Sequence, residues 1–128
     1  KYLEKHGFPK NVSDLNKHSF ISFGRGAPSP VYNPEWALKL GTKDNKKRKT
    51  VMKVNSVYGL LLAVQSGVGL AALPDYITVN QPNIVKVLPN IEGPITEAHF
   101  VYPQSMKNVA RVQAFRNFLY SKISEWEF

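Results

Sequence analysis

The chain has 128 residues, 43% of them apolar, a net charge of +8 and no cysteine. That length supports one compact domain rather than two ordinary ones, and that apolar content excludes wholesale disorder. The lack of cysteine excludes a disulfide framework and a Cys-based zinc or redox site, and fits a cytoplasmic protein.

No apolar run approaches the ~20 residues that cross a bilayer, and Lys1–Phe20 does not read as a signal peptide, so no membrane partner is expected. The charge is clustered. Lys43, Lys46, Lys47, Arg48 and Lys49 stand together with Asp44 as the one acid among them, and removing these six residues leaves +4.

In chain order, Tyr2–Lys17 reads as short helical turns broken by Gly7 and Pro9, with Ser13 before Asp14-Leu15 as a cap for the second turn. Phe20–Phe23 reads as a buried strand, ended by Gly24 and a Gly/Pro/Ser loop through Pro30. Trp36–Leu40 and Val51–Val54 are short apolar-rich runs on either side of the polar stretch Gly41–Thr50. The simplest reading is an antiparallel hairpin with a solvated basic tip, dispensable to the fold. Asn55 or Ser56 caps a helix running to about Ser66, which is apolar over much of its circumference and is stopped by Gly67. Leu70–Leu73, Ile84–Leu88 and His99–Tyr102 read as further short strands, each closed by a proline. Met106–Trp126 is the longest expected helix, with Val112, Phe115, Leu119, Ile123 and Trp126 on one apolar face. Alternating strands and helices point to an α/β sheet with helical layers.

Residues with catalytic chemistry are sparse. His6, His18 and His99 lack metal-pair spacing, no acidic pair is spaced for proton transfer, and no serine elbow occurs. No catalytic residue, metal or cofactor is expected. Gly67-Val68-Gly69-Leu70-Ala71-Ala72 has the letters of a dinucleotide fingerprint, but a helix precedes it and a proline-ended strand follows, the reverse of what phosphate binding requires. Asn55-Ser56 is more informative, because a helix start after a strand offers unpaired amides to an anion.

The ordered series of motifs resembles LysR-type transcriptional regulators. Tyr2-Leu3 with His6-Gly7-Phe8-Pro9, then Asp14-Leu15 with His18, then Phe20–Phe23 are similar to the opening of the second lobe of that family's effector-binding domain. Trp36, Asn55, Gly67–Pro74, Val85–Pro89, Val101-Tyr102-Pro103 and Val112–Leu119 continue the series in register. Departures are concentrated at Arg25–Asn33 and Gly41–Thr50.

The resemblance implies the second lobe of a type 2 periplasmic-binding-protein-like fold, a mixed sheet with helices on both faces. It spans residues 1–103, with residues 104–128 as a helix returning to a mostly absent first lobe. It further implies a small-molecule effector, anionic by the argument above, held at Val54, Asn55 and Ser56, with Phe23 and Tyr102 as weaker positions. Self-association is expected, and DNA contact only through an amino-terminal helix-turn-helix outside this sequence. A solute-binding receptor of the same fold class is the alternative, and a small basic nucleic-acid-binding domain resting on Lys46–Lys49 is a third reading.

Overall fold

The computed structural model describes residues 1–24, 33 and 35–125, with the side chain of Asn45 left aside. The expected loop from Arg25 to Pro30 and the position of Trp126 lie outside the described residues. Contacts divide the chain into two units, Lys1–Thr96 and Glu97–Phe128.

The first unit is built around β1 (Phe20–Phe23), whose four residues are all buried. Alternation along a strand sends neighbouring side chains to opposite faces, so a strand buried throughout must be covered twice. Ile21 and Phe23 pack with Leu60 and Ala63, joined by Val54, Val57 and Val68. Phe20 packs with Leu15 and Leu38, joined by Val12, Leu40 and Leu70. Both edges of β1 are also engaged. β2 (Thr50–Val54) pairs with it in parallel, in a register that sets Ser22 against Lys53 and Phe23 against Val54. On the other edge an isolated parallel bridge joins Phe20 to Leu70, with Ile21 N–H donating to Leu70 O at 2.8 Å and Leu70 N–H to Ser19 O at 2.9 Å.

The amino-terminal turns fall where expected, α1 at Tyr2–His6 and a 3₁₀ turn at Val12–Lys17. The cap of the second differs: Asn11 Oδ1, not Ser13, accepts the Asp14 N–H at 3.0 Å. Tyr2 ties this region to β1, since its hydroxyl accepts the Ser19 N–H at 2.7 Å while its ring stacks on His6 at 4.5 Å and lies 5.8 Å from His18. Burial lowers the His18 pKa from its usual value, and its Nδ1 is buried without a partner among the described residues.

The hairpin expectation is overturned. Trp36–Lys39 forms one helical turn, α2, and the strand that follows the basic stretch runs parallel to β1 rather than back along residues 36–40. Ala, Leu and Lys are strong helix formers, and a five-residue apolar run carries no period that separates one helical turn from a strand. The basic stretch is not a free tip either. Arg48 is folded inward: its guanidinium donates to Leu40 O at 2.8 Å, Ala37 O at 3.2 Å, Val12 O at 3.3 Å and Asn16 Oδ1 at 2.8 Å. Its Cζ lies 5.7 Å from the centre of the Phe20 ring, and its backbone N–H bonds Leu38 O at 2.9 Å. A planar five-donor cation can serve the carboxyl end of α2 and the 3₁₀ turn at once, which lysine cannot.

α3 (Val57–Gln65) ends at Gly67, whose φ of 79° is a left-handed value that glycine adopts without strain. Gly67 N–H bonds Val64 O at 2.9 Å and Val68 N–H bonds Ala63 O at 3.1 Å, so the turn satisfies carbonyls the helix end leaves open. At Gly69 a Cβ would come within 2.5 Å of Ser19 O, which explains the second glycine by the close approach of two backbones. The Leu70–Leu73 strand is reduced to the single bridge at Leu70, and a short helix, α4 (Asp75–Thr78), follows Pro74. The expected strands at Ile84–Leu88 and His99–Tyr102 do not form among the described residues. Both segments have strand-type side chains, but a strand needs a ladder partner, and neither finds one.

In the second unit α5 covers Ala110–Ser124, after a 3₁₀ turn at Gln104–Met106. The expected helix is thus shorter at its amino end. The rings of Phe100 and Phe115 meet edge-on at 5.6 Å, and Phe100 lies 5.4 Å from Tyr102.

The Arg48 contacts set an expected outcome that divides the basic stretch. Arg48→Ala should cost about 2–3 kcal/mol, because it orphans several carbonyls and removes a cation from an aromatic face. Lys46→Ser and Lys49→Ser, at exposed positions, should stay within about 0.5 kcal/mol. Urea unfolding of the three variants separates them; equal midpoints would show that the Arg48 contacts add nothing to stability.

Candidate functional site

The parallel register brings the carboxyl ends of β1 and β2 side by side, at Phe23 and Val54. Gly24 N–H donates to Val54 O at 2.8 Å, continuing the ladder one step past β1. The chain then turns through Asn55 and Ser56 into α3, so a helix amino terminus opens directly beyond two parallel strand ends. That location collects unpaired amides and the positive end of the helix dipole, and in open α/β sheets the crevice beyond the strand ends is where ligands bind.

Four of the five residues expected at a site are therefore neighbours. Their availability differs. Phe23 is 5% exposed and belongs to the core against Leu60 and Ala63, so it supports the site from beneath. Val54 is half-buried, and Asn55 and Ser56 are exposed. Ser56 is the cap of α3, its Oγ accepting the Gly59 N–H at 3.3 Å from a backbone at φ −138°. Asn55 is relieved of that task, and its side chain makes no hydrogen bond among the described residues. The fifth residue, Tyr102, lies in the other unit, half-buried beside Phe100.

Two glycines shape this corner, of which only Gly24 was singled out from the sequence, as the end of β1. A Cβ on Gly59 would sit 2.5 Å from Val54 Cγ1, so only glycine lets the first turn of α3 lie against the end of β2. The signal was a glycine inside an otherwise strong helical pattern, which usually has a packing cause. Gly24 approaches Asn55, with 3.8 Å between their Cβ positions were Gly24 to carry one. Nothing in the local sequence indicates that approach, because it depends on the pairing of β1 with β2.

Among the described residues no group of three His, Cys, Asp or Glu side chains is placed to hold a metal ion. No described helix is long and apolar enough to cross a membrane.

The division of labour between Asn55 and Ser56 is measurable. Ser56→Ala should lower stability by about 1 kcal/mol through loss of the cap, whereas Asn55→Ala should leave it within about 0.5 kcal/mol. Chemical denaturation of the two variants checks this, and the reverse order would assign the cap to Asn55.

Comparison with known proteins bears on the chain as a whole. The sequence model of the LysR substrate binding domain matches residues 2–123. An uncharacterized HTH-type transcriptional regulator of Haemophilus influenzae is 30% identical over 106 residues, covering 80% of this chain and 35% of the relative. The chain thus spans about a third of the length of that relative. No solved structure matches. With a match over nearly its full length, and with parallel strands ending beside a helix start in an α/β unit, the chain belongs to the LysR substrate-binding domain family.

Proposed function

We propose that this chain is the second lobe of the effector-binding domain of a LysR-type transcriptional regulator and senses a small molecule. In this reading residues 1–103 belong to the lobe, and residues 104–128 carry the helix, α5, that returns to the first lobe. Operator binding falls to a helix-turn-helix outside these residues. The observation that carries the reading is the corner where Phe23 and Val54 end in register and α3 begins. There the capped but otherwise open amides of α3 and the unengaged Asn55 side chain offer donors to an effector with a carboxylate or similar anionic group. Binding alters the closure of two lobes and so re-spaces the DNA-binding parts of a homo-oligomer, with no bond made or broken.

In the intact regulator, Asn55→Ala should abolish or greatly weaken the effector response while operator affinity is kept. An effector titration followed by operator binding checks both at once. An unchanged titration in the folded variant removes Asn55 from the site.

Self-association is supported by α5. None of its residues is buried, and Phe115, Phe118 and Ile123 are each about half exposed or more. Burying such side chains is worth about 1.5–3 kcal/mol each, a strong incentive to pair with another copy. Light scattering across a concentration series should show a dimer or larger species of the 128-residue chain, and a strict monomer throughout rejects the proposal.

A further inference from the structure

The net charge is far from evenly spread. Residues 39–53 hold seven bases and one acid, residues 1–38 five bases and three acids, and residues 54–128 five of each. One stretch of fifteen residues therefore supplies +6 of the total +8, and the distal part of the chain is neutral. The structure sorts these bases by use. Arg48 is spent inside the fold on backbone carbonyls and the Phe20 ring, and Lys47 pairs with Glu35. Lys43, Lys46, Lys49 and Lys53 are exposed, and Lys39 is partly so.

Arg48 changes what those lysines can do. Because its guanidinium and backbone N–H fasten the segment to α2 and the 3₁₀ turn, the chain on either side is held in place and leads directly into β2. Lys46 has extended backbone, at φ −64° and ψ 124°, and Lys49 immediately precedes β2, which carries Lys53. A run of this kind reaches at most about 25 Å from Lys46 to Lys53. Cations on a fastened segment lose less freedom on meeting phosphates than those of a mobile tip would.

We propose that the Lys43–Lys53 strip is a sequence-independent docking surface for the phosphate backbone of duplex DNA. A duplex presents one negative charge per about 1.7 Å of axis, an array dense enough for several exposed lysines of one short stretch to meet phosphates together. The stretch 39–53 contains no aromatic residue, so it has no platform on which unpaired bases would stack, and that favours a duplex over a single strand. It also has no fork of free arginines to read base edges, since Arg48 is committed internally. The contact positions the protein on DNA and specifies nothing.

The test is fluorescence anisotropy of the 128-residue chain with a labelled duplex of arbitrary sequence, over roughly 20 to 200 mM salt. Binding should be clear at low salt and fall linearly on a log–log plot. The combined Lys43→Gln, Lys46→Gln, Lys49→Gln and Lys53→Gln variant should bind at least about tenfold more weakly at the lowest salt, with a slope shallower by about 3 to 4. A control with the same loss of charge elsewhere, Lys5→Gln, Lys86→Gln, Lys107→Gln and Lys122→Gln, should keep the wild-type slope; circular dichroism confirms that both are folded. The proposal is overturned if the wild type does not bind duplex at the lowest salt, or if the two variants lose affinity equally. It is also overturned if anionic vesicles or a single strand are bound in preference to the duplex.

Discussion

Phe20–Phe23 is a strand of four residues with no exposed face, and that one constraint organises the whole first unit. A strand buried on both faces and bonded on both edges needs four kinds of neighbour, and none can come from adjacent sequence. The helix α3 covers one face through Leu60 and Ala63, and Leu15 and Leu38 cover the other. β2 takes one edge and Leu70 the other. Each of these pieces is short. Their stability is mutual, since an isolated two-stranded pairing or a nine-residue helix is marginal in water without a shared core.

The same pairing creates the corner between the strand ends and α3. Parallel strands end on the same side, so joining β1 to β2 in parallel places Phe23 beside Val54 and sets the start of α3 just beyond them. Antiparallel pairing of β1 with β2 would have put those carboxyl ends at opposite ends of the sheet. Gly59 then lets α3 descend against Val54, and Ser56 completes the cap. With the structural demands of the turn met by Ser56 and the two glycines, Asn55 stays exposed, its side chain without a hydrogen bond among the described residues. The capping residue stands directly beside an exposed polar neighbour, which is why local sequence could not say which of the two makes the cap.

Arg48 shows how a cluster of like charges can hide unlike functions. In sequence it is one of five bases in seven residues; in the fold it alone turns inward, where burial lowers its pKa from the usual value, while several carbonyls and an aromatic face hold the cation. Its guanidinium closes the carboxyl end of α2, the position where a cation also meets the negative end of the helix dipole. The exposed lysines beside it thus stand on a segment that these bonds fasten to the core.

The sequence by itself determined the elements whose signals are local. The turns of Tyr2–Lys17 follow from Gly7, Pro9 and the capping polar residues. β1 follows from Phe20-Ile21-Ser22-Phe23, α3 from its apolar run between Ser56 and Gly67, and most of α5 from its apolar spacing. The order of these motifs also sufficed to place the chain in its family. What only the tertiary structure decided was non-local. Whether Trp36–Leu40 becomes strand or helix, whether Val51–Val54 runs parallel or antiparallel, and whether Ile84–Leu88 pairs at all depend on which edges and faces β1 leaves open. Backbone hydrogen bonds between strands are made with distant partners, and short apolar runs carry no record of who those partners are. The inward turn of Arg48 was equally illegible, because the carbonyls that hold it belong to Val12, Ala37 and Leu40, which come together only when the chain has folded.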